Sequence, residues 1–201
     1  MNDARGYLIQ NGIIPLSPTK GLVSIVDLIL GPGVPGNWWG HQNANLAYNA
    51  YSELANDPDI IVMKLVDYKV TLVHRTLWDC IFRVALDNGR ITWRKKSLSP
   101  QGLLLLNQIE KIGSISLDFI TADLQVHRKT ITKERRKLEE FGLVVSREEH
   151  TSSGHHDIVL ESWKSAAKTR RVAPPASLTV VVAHREIQSR IGRHKSSLAL
   201  P

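Results

Sequence analysis

Positively charged side chains recur at helical spacing between residues 128 and 142. Ile131, Leu138 and Phe141 fall on one side of the helix that this spacing predicts, and we expect them to face inward. The opposite side then holds five polar positions: Lys129, Thr132, Lys133, Arg136 and Lys137. Lys and Arg side chains gathered on one helix face bind phosphate groups and displace the counterions condensed around a polyanion. This segment therefore predicts phosphate binding whose affinity falls as salt rises.

The distribution of charge supports this interpretation more than the total charge does. Residues 1–125 contain 11 Lys/Arg and 11 Asp/Glu, whereas residues 126–201 contain 15 and 8, so the net charge of +7 arises in the second part. The alternative is an ordinary solvated helix surface, on which the cations are balanced by Glu134, Glu139 and Glu140. We favour nucleic-acid contact because the charge coincides with a particular order of predicted elements.

Two helices are predicted before the cationic segment. Ser99 suits the N-cap and Pro100 the first position of a helix that Gly113 ends. A shorter helix follows, which Ser116 or Asp118 caps. Its expected apolar side consists of Phe119, Ile120 and Leu124.

After Gly142, which closes the cationic helix, the sequence changes to an extended pattern. Residues 143–145 and 158–160 are apolar runs on either side of turn-forming residues 151–154, which predicts a β-hairpin. Three helices followed by a hairpin resemble the winged helix-turn-helix superfamily. Residues 128–142 take the place of the recognition helix and residues 144–160 that of the wing, and the resemblance covers about a third of the chain.

The resemblance implies contact with double-stranded DNA, with the recognition helix in the major groove. The phosphate contacts that it implies are Arg128, Lys129 and Arg136, and Lys137 is expected to belong to the same DNA-binding surface. The side chains expected near base edges are Thr130, Thr132 and Lys133, which lie toward the helix start. His155 and His156 flank the wing turn and are expected to touch the DNA backbone, more strongly when protonated.

The first half of the chain shows a related pattern. Ser17 and Pro18 again suggest a helix start, a second helix is expected from Asn43 or Asn45, and residues 60–65 and 70–73 are extended runs. This order suggests a second winged-helix-like unit, followed by a connecting helix. The expected divisions are an N-terminal arm, 1–16; a winged-helix-like module, 17–97; a winged-helix DNA-binding module, 98–163; and a basic linker with a C-terminal helix or tail, 164–201.

A more specific resemblance rests on one motif in the first half of the chain, with a helix and a strand pair after it. The motif is Asn37-Trp38-Trp39-Gly40-His41. It resembles a family of uncharacterised bacterial proteins, and is distantly similar to the winged-helix segments of bacterial alkylpurine DNA glycosylases. That similarity implies contact with duplex or damaged DNA. It does not transfer an activity, because the glutamine pairing that those enzymes use is not found here in a matching context.

Trp38, Trp39 and His41 are a possible second contact with DNA. Adjacent tryptophans in a loop can stack on an unpaired base or wedge into a distorted duplex. Alternatively, they fill the junction between helices, as large aromatic side chains do in small domains. We favour the second interpretation.

The sequence contains few features that indicate a catalytic or metal site. His150, His155 and His156 lie near one another in sequence, but no cysteine accompanies them and no zinc-binding spacing is present. The two prolines in residues 31–36 remove donors that a phosphate-binding loop needs, and no Gly-x-Ser-x-Gly motif is found. We expect no cofactor and no metal, and we expect binding more than catalysis, although a site assembled from distant residues stays open.

The composition and the apolar runs of the sequence indicate the cellular compartment in which the protein is expected. Cys80 is the single cysteine, the start of the chain lacks the pattern of a secretory signal, and no apolar run reaches membrane-spanning length. We therefore expect a cytoplasmic protein, associated with the nucleoid if it binds DNA. Cys80 is expected to be buried. A helix from Ser177 to Ile191 is expected to pack on the body or to form a homodimer seam, and residues 193–201 are expected to be mobile.

These observations predict an α+β, mainly helical protein with two winged-helix-like modules, each with a β-hairpin, and a C-terminal tail with a possible helix. The predicted function is double-stranded DNA binding, in transcriptional regulation or DNA maintenance. Two alternatives stay open: a DNA-repair enzyme or accessory factor similar to the glycosylases, and a scaffold whose winged helices bind another protein.

Overall fold

The two halves of the chain repeat one order of helices and strands. The computed structural model describes residues 2–35, 37–123, 126–150 and 156–201. The first unit consists of α1 (Asn2–Asn11), β1 (Ile13–Pro15), α2 (Ile25–Leu30), α3 (Ala44–Ala55), β2 (Ile60–Val66) and β3 (Lys69–His74). Its strands are antiparallel and lie in the order β1-β3-β2.

Two helices, α4 (Trp78–Ala85) and α5 (Asn88–Lys95), lead from the first unit to the second. The second unit consists of α6 (Pro100–Ile112), β4 (Ser114–Ser116), α7 (Leu117–Asp123), α8 (Arg128–Glu140), β5 (Val144–His150) and β6 (His156–Ser162). Its strands are antiparallel in the order β4-β6-β5, which matches the first unit. Helices α9 (Trp163–Arg170) and α10 (Val180–Ile191) follow. The predicted fold class, α+β and mainly helical with a hairpin in each half, is confirmed.

The ends of α6 and α8 follow the local signals in the sequence. The Ser99 hydroxyl accepts a hydrogen bond from the Gly102 amide, and Pro100 occupies the first turn, as predicted. Gly113, with φ of 94°, ends α6. Gly142 follows α8 with φ of 56°, a left-handed conformation that glycine adopts without a Cβ clash.

The start of the first unit differs from the prediction. Residues 1–16 are not a free arm, because α1 buries Ala4 and Leu8 and β1 pairs with β3. Ser17 and Pro18 do not start a helix. Instead α2 begins at Ile25, because Ser24 and Asp27 form reciprocal side-chain-to-backbone hydrogen bonds that satisfy its first turn.

Other expectations about individual segments are also wrong. Phe119 does not face inward on α7 but is 62% exposed, while its neighbour Ile120 is buried. Residues 164–170 are not a linker, because Ser162 caps α9 and Trp163 packs into the core.

The C-terminal residues are held against the first unit. The predicted helix exists as α10, capped by Thr179, and Ile187 and Ile191 on its apolar face are already buried within this chain. Residues 193–201, expected to be mobile, continue along β2, where the Ser197 amide donates to the Leu65 carbonyl at 3.0 Å. The expectation of mobility is wrong because this segment gains backbone partners and buries an apolar side chain, Leu198.

One apolar core contains residues from both units and from the helices outside them. Met63 of β2 and Val145 of β5 belong to it, together with residues of α4, α9 and α10. Within it, Phe82 packs edge-on against Trp163 with ring centroids 5.3 Å apart. Because the core crosses the boundary between the units, burial of its surface opposes their separation.

Arg90 of α5 lies at the junction of this core, the end of α8 and the C-terminal tail. Its side chain is fully buried, and Nη2 lies 2.5 Å from the carbonyl oxygen of Phe141 and 2.7 Å from that of Ser197. The Gly142 carbonyl is 3.2 Å away. Burial lowers the pKa of Arg90 to about 9, which leaves the guanidinium protonated at neutral pH. A cation at the C-terminal carbonyls of α8 also interacts favourably with the helix dipole.

We expect Gly142→Ala to destabilise the protein more than Gly21→Ala does. Both glycines have positive φ, but a Cβ at Gly142 would lie 2.8 Å from Arg90 Nη2 and 2.9 Å from the Ser197 carbonyl oxygen, whereas one at Gly21 would meet nothing within 4 Å. Gly21→Ala should lower the free energy of unfolding by about 1 kcal/mol, and Gly142→Ala by about 3 kcal/mol. Urea denaturation followed by circular dichroism measures both, and equal losses would contradict the close packing at Gly142.

We expect His74 to make folding sensitive to mild acid. Burial lowers the pKa of this imidazole, against the weaker effects of Asp59 and Asp57, so the unfolded chain takes up its proton first as the pH falls below 6.5. The free energy of unfolding should therefore fall between pH 6.5 and the lower pKa of the folded state. In His74→Gln this contribution is absent, and the loss of stability from about pH 7.5 to about pH 5 should be smaller. Parallel denaturant titrations at the two pH values test this, and identical losses would show that His74 is not responsible.

Candidate nucleic-acid interface

Helix α8 separates its cations from most of its carboxylates. Its outer side holds five Lys/Arg residues, hereafter the cationic face: Arg128, Lys129, Lys133, Arg136 and Lys137. Lys137 is half-buried and the other four are exposed. Ile131 and Leu138 are buried on the inner side, as predicted. At 1.5 Å per residue the cationic face extends for roughly 13 Å along the helix.

Two of the three glutamates of α8 are turned away from solvent. Glu134 is 5% exposed and points toward the first turn of α6, where its Oε2 lies 2.8 Å from the position that a Cβ on Gly102 would take. Glu139 is 3% exposed. Only Glu140, among the glutamates of this helix, lies beside the cationic face. The alternative interpretation of the sequence required these glutamates to balance the cations at the helix surface. Because they are buried, Glu134 and Glu139 do not do so.

Glu139 is the centre of an ionic junction between the units. Lys64 of β2 lies 2.7 Å from its Oε2, and Arg135 of α8 lies 2.8 Å from its Oε1. The carboxylate thus neutralises charge inside the junction and draws Arg135 inward, away from the cationic face. A buried pair of this kind adds little net stability, because the loss of hydration of both charges offsets their attraction.

The members of the cationic face differ in their partners. Arg128 forms an exposed ion pair with Asp118 of α7, at 2.7 Å, which joins the second and third helices of the unit. Exposed pairs contribute little to stability, so a stronger anion can replace Asp118. Within the described residues, Lys129, Lys133, Arg136 and Lys137 form no ion pair.

Thr130 and Thr132, predicted near base edges, are half-buried beside the exposed Lys133. His127 caps the helix, since its Nδ1 accepts a hydrogen bond from the Lys129 amide at 3.2 Å. The N-terminal end of α8 therefore adds the positive end of a helix dipole to the cationic side chains around it.

The hairpin of β5 and β6 follows α8 directly, in a register from Val144↔Ser162 to His150↔His156. His155 lies outside the described residues. His156 is the first residue of β6, but its side chain is not among those that the structure describes. The proposed contact of these histidines with phosphate stays a prediction.

Trp38 and Trp39 have separate roles. Trp38 is 1% exposed and donates a hydrogen bond from Nε1 to the Ser17 hydroxyl, so it fills the core of the first unit. Trp39 stacks on it at 4.1 Å but is 59% exposed, and it does not fill a junction. His41 is half-buried and accepts from the Asn43 amide through Nδ1.

An aromatic run on the first unit was missed by the sequence reasoning. Tyr48 of α3 lies 5.7 Å from Trp39 and 6.1 Å from Tyr51, measured between ring centroids. The spacing of the two tyrosines, three residues apart, places them on one face of α3 and is the signal that indicates the run. Both tyrosines line a cleft of about 450 Å³ between α3 and α8.

The described residues offer no metal centre and no membrane span. Among them, no three His, Cys, Asp or Glu side chains are grouped so as to hold an ion. None of their helices combines the length and apolar character needed to cross a bilayer. Cys80 is half-buried against the shared core, and burial raises the pKa of its thiol, which disfavours the reactive thiolate.

No protein-family model, curated protein or solved structure matches this chain. The resemblance to winged helix-turn-helix proteins and to the glycosylase segments therefore stays a prediction from the residues. The charge separation on α8 and the repeated order of elements are observed in this chain and do not depend on similarity to another protein.

Proposed function

We propose that this protein binds double-stranded DNA through the cationic face of α8. The observation that supports this most directly is the separation of charge across the helix. Glu134 and Glu139 are buried, while Lys129, Lys133 and Arg136 are exposed without ion pairs among the described residues. A surface of this kind attracts phosphates at long range and gains free energy by releasing their counterions.

The order of elements in the second unit supports a winged-helix mode of binding. Helix α8 is the third helix, it follows the short helix α7, and the hairpin of β5 and β6 comes directly after it. The strand order β4-β6-β5 places β6 at the centre of the sheet, with β4 and β5 at its two edges. In helix-turn-helix proteins the later helix occupies the major groove, whose width accommodates one α-helix.

In this arrangement the side chains have different tasks. Arg128, Lys129, Arg136 and Lys137 contact phosphates and set the register of α8 on the duplex. Thr130, Thr132 and Lys133 approach base edges from the first turns of the helix. Transcriptional control and DNA maintenance both require proteins that bind duplex DNA. A helix placed in the major groove is compatible with either function.

A protein partner is the second candidate, because large apolar side chains are exposed on the helices that precede α8. Phe119 of α7 is 62% exposed, and Ile112 at the end of α6 is 50% exposed. Large exposed apolar side chains are common at protein interfaces. Phe119→Ser should leave DNA affinity unchanged if these residues serve a protein, and should reduce it if they pack against DNA.

Replacing Lys133 and Arg136 together by alanine should weaken binding to a short mixed-sequence duplex. Both side chains are exposed, and no ion pair inside the described chain depends on them. The slope of log K against log salt should become shallower by about 1 to 2 between about 50 and 200 mM salt, because up to two phosphate contacts are lost. Fluorescence anisotropy with labelled duplex measures the affinity at each salt concentration.

The matched control is Lys164→Ala with Lys168→Ala. These two lysines are also exposed and lie one turn apart, on α9, so the variant loses the same net charge away from the cationic face. Its affinity and salt slope should stay close to those of the unaltered protein. Equal weakening in both double variants would mean that only total charge matters, and an unchanged slope in the α8 variant would overturn the assignment.

A further inference from the structure

We infer that the cleft between α3 and α8 binds a planar ring that bears an anionic group, the chemistry of a nucleoside monophosphate. The cleft is bounded by α3, β2 and β3 of the first unit and by α8, β5 and β6 of the second. Its volume of about 450 Å³ lies within the range of small-molecule sites. Clefts between structural units are a common location for such sites.

One wall of the cleft is suited to a planar ring. Tyr48 and Tyr51 are half-buried on α3, and the exposed Trp39 extends the aromatic surface beyond Tyr48. Aromatic side chains stack on rings of any base, because every base has a π-face. The half-buried apolar side chains Val62, Val70 and Ile158 also line the cleft and suit the edge of such a ring.

The opposite wall is suited to an anion. Lys64, Arg135, Arg136 and Arg147 line the cleft, against the two carboxylates of Glu139 and Glu148. Glu139 is already shared by Lys64 and Arg135, so its charge is neutralised within the wall. Arg136 is exposed and forms no ion pair within the described residues. Its planar guanidinium can hold a phosphate through two parallel hydrogen bonds.

Two further donors belong to residues that line the cleft, Arg135 and Tyr51. Arg135 Nε is buried and has no hydrogen-bond partner among the described residues. Burial and the nearby Glu148 raise the pKa of Tyr51 to about 12, so its hydroxyl is protonated at neutral pH. A ring without an anion would not use the guanidinium of Arg136, and an anion without a ring would leave the aromatic wall exposed.

The test is isothermal titration calorimetry on the full chain in the absence of DNA. Adenosine 5′-monophosphate should bind, whereas adenosine, which lacks the anion, and ribose 5-phosphate, which lacks the ring, should each bind at least about tenfold more weakly. Arg136→Gln and Tyr48→Leu should each weaken binding of adenosine 5′-monophosphate about tenfold. Circular dichroism establishes that each variant is folded, and Arg136→Gln removes only an exposed side chain.

Lys133→Gln is the matched control, because Lys133 lies on the same helix but does not line the cleft. It should leave binding of adenosine 5′-monophosphate unchanged while weakening DNA binding, so this site and the proposed DNA function are tested separately. A short deoxyadenosine oligonucleotide distinguishes the two sources of the ring. Tighter binding of the oligonucleotide that Tyr48→Leu weakens identifies a unit of a single strand, and tighter binding of the monophosphate identifies a free nucleotide. Absence of binding by both, or binding that Arg136→Gln and Tyr48→Leu leave unchanged, would overturn the inference.

Discussion

The position of α8 depends on one buried cation. Arg90 places its guanidinium within hydrogen-bonding distance of carbonyl oxygens at Phe141, Gly142 and Ser197. Burying a charge is unfavourable unless hydrogen bonds and opposite charge or dipoles compensate for it. Here Nη2 alone supplies the compensation, through the negative end of α8 and the tail, while Nε and Nη1 have no hydrogen-bond partner among the described residues. These elements must stay together for Nη2 to keep its partners. Trp163 donates to the same Gly142 carbonyl at 2.9 Å and joins α9 to this junction. The end of α8 is therefore fixed from three directions, while its cationic face stays in solvent.

The second constraint on α8 is the placement of its carboxylates. A helix with six Lys/Arg and three Glu has a modest net charge, but Glu134 and Glu139 are almost completely buried. Glu139 is held by Lys64 and Arg135, and Glu134 lies against the first turn of α6, where the helix dipole favours a negative charge. The same contacts that orient α8 in the fold thus increase the positive potential of its outer side. Packing and proposed function depend on one set of residues.

The sequence predicted helix ends correctly where the signals that set them lie within one helical turn. Ser99, Pro100 and Gly113 define α6 correctly, because caps act within one turn. Strands β1 and β4 were missed, since three-residue strands form only where a partner strand supplies hydrogen bonds. Helix α1 was missed because its apolar pattern is weak, and α9 because its lysines and arginines suggest a solvated linker. Of the candidate site, the exposed cations of α8 were predicted. The burial of Glu139 was not, because its partner Lys64 is distant in sequence.

Arg136 belongs to both the cationic face and the wall of the cleft. One guanidinium cannot give its best geometry to a DNA phosphate and to an anion in the cleft at the same time, since its donors are fixed in one plane. If both proposals hold, occupation of the cleft would withdraw a phosphate contact from α8, and DNA binding would withdraw an anion contact from the cleft. Linkage requires the two effects to be equal in free energy. The repeated order of elements has thus produced two third helices with different chemistry, aromatic on α3 and cationic on α8, that meet at one shared side chain.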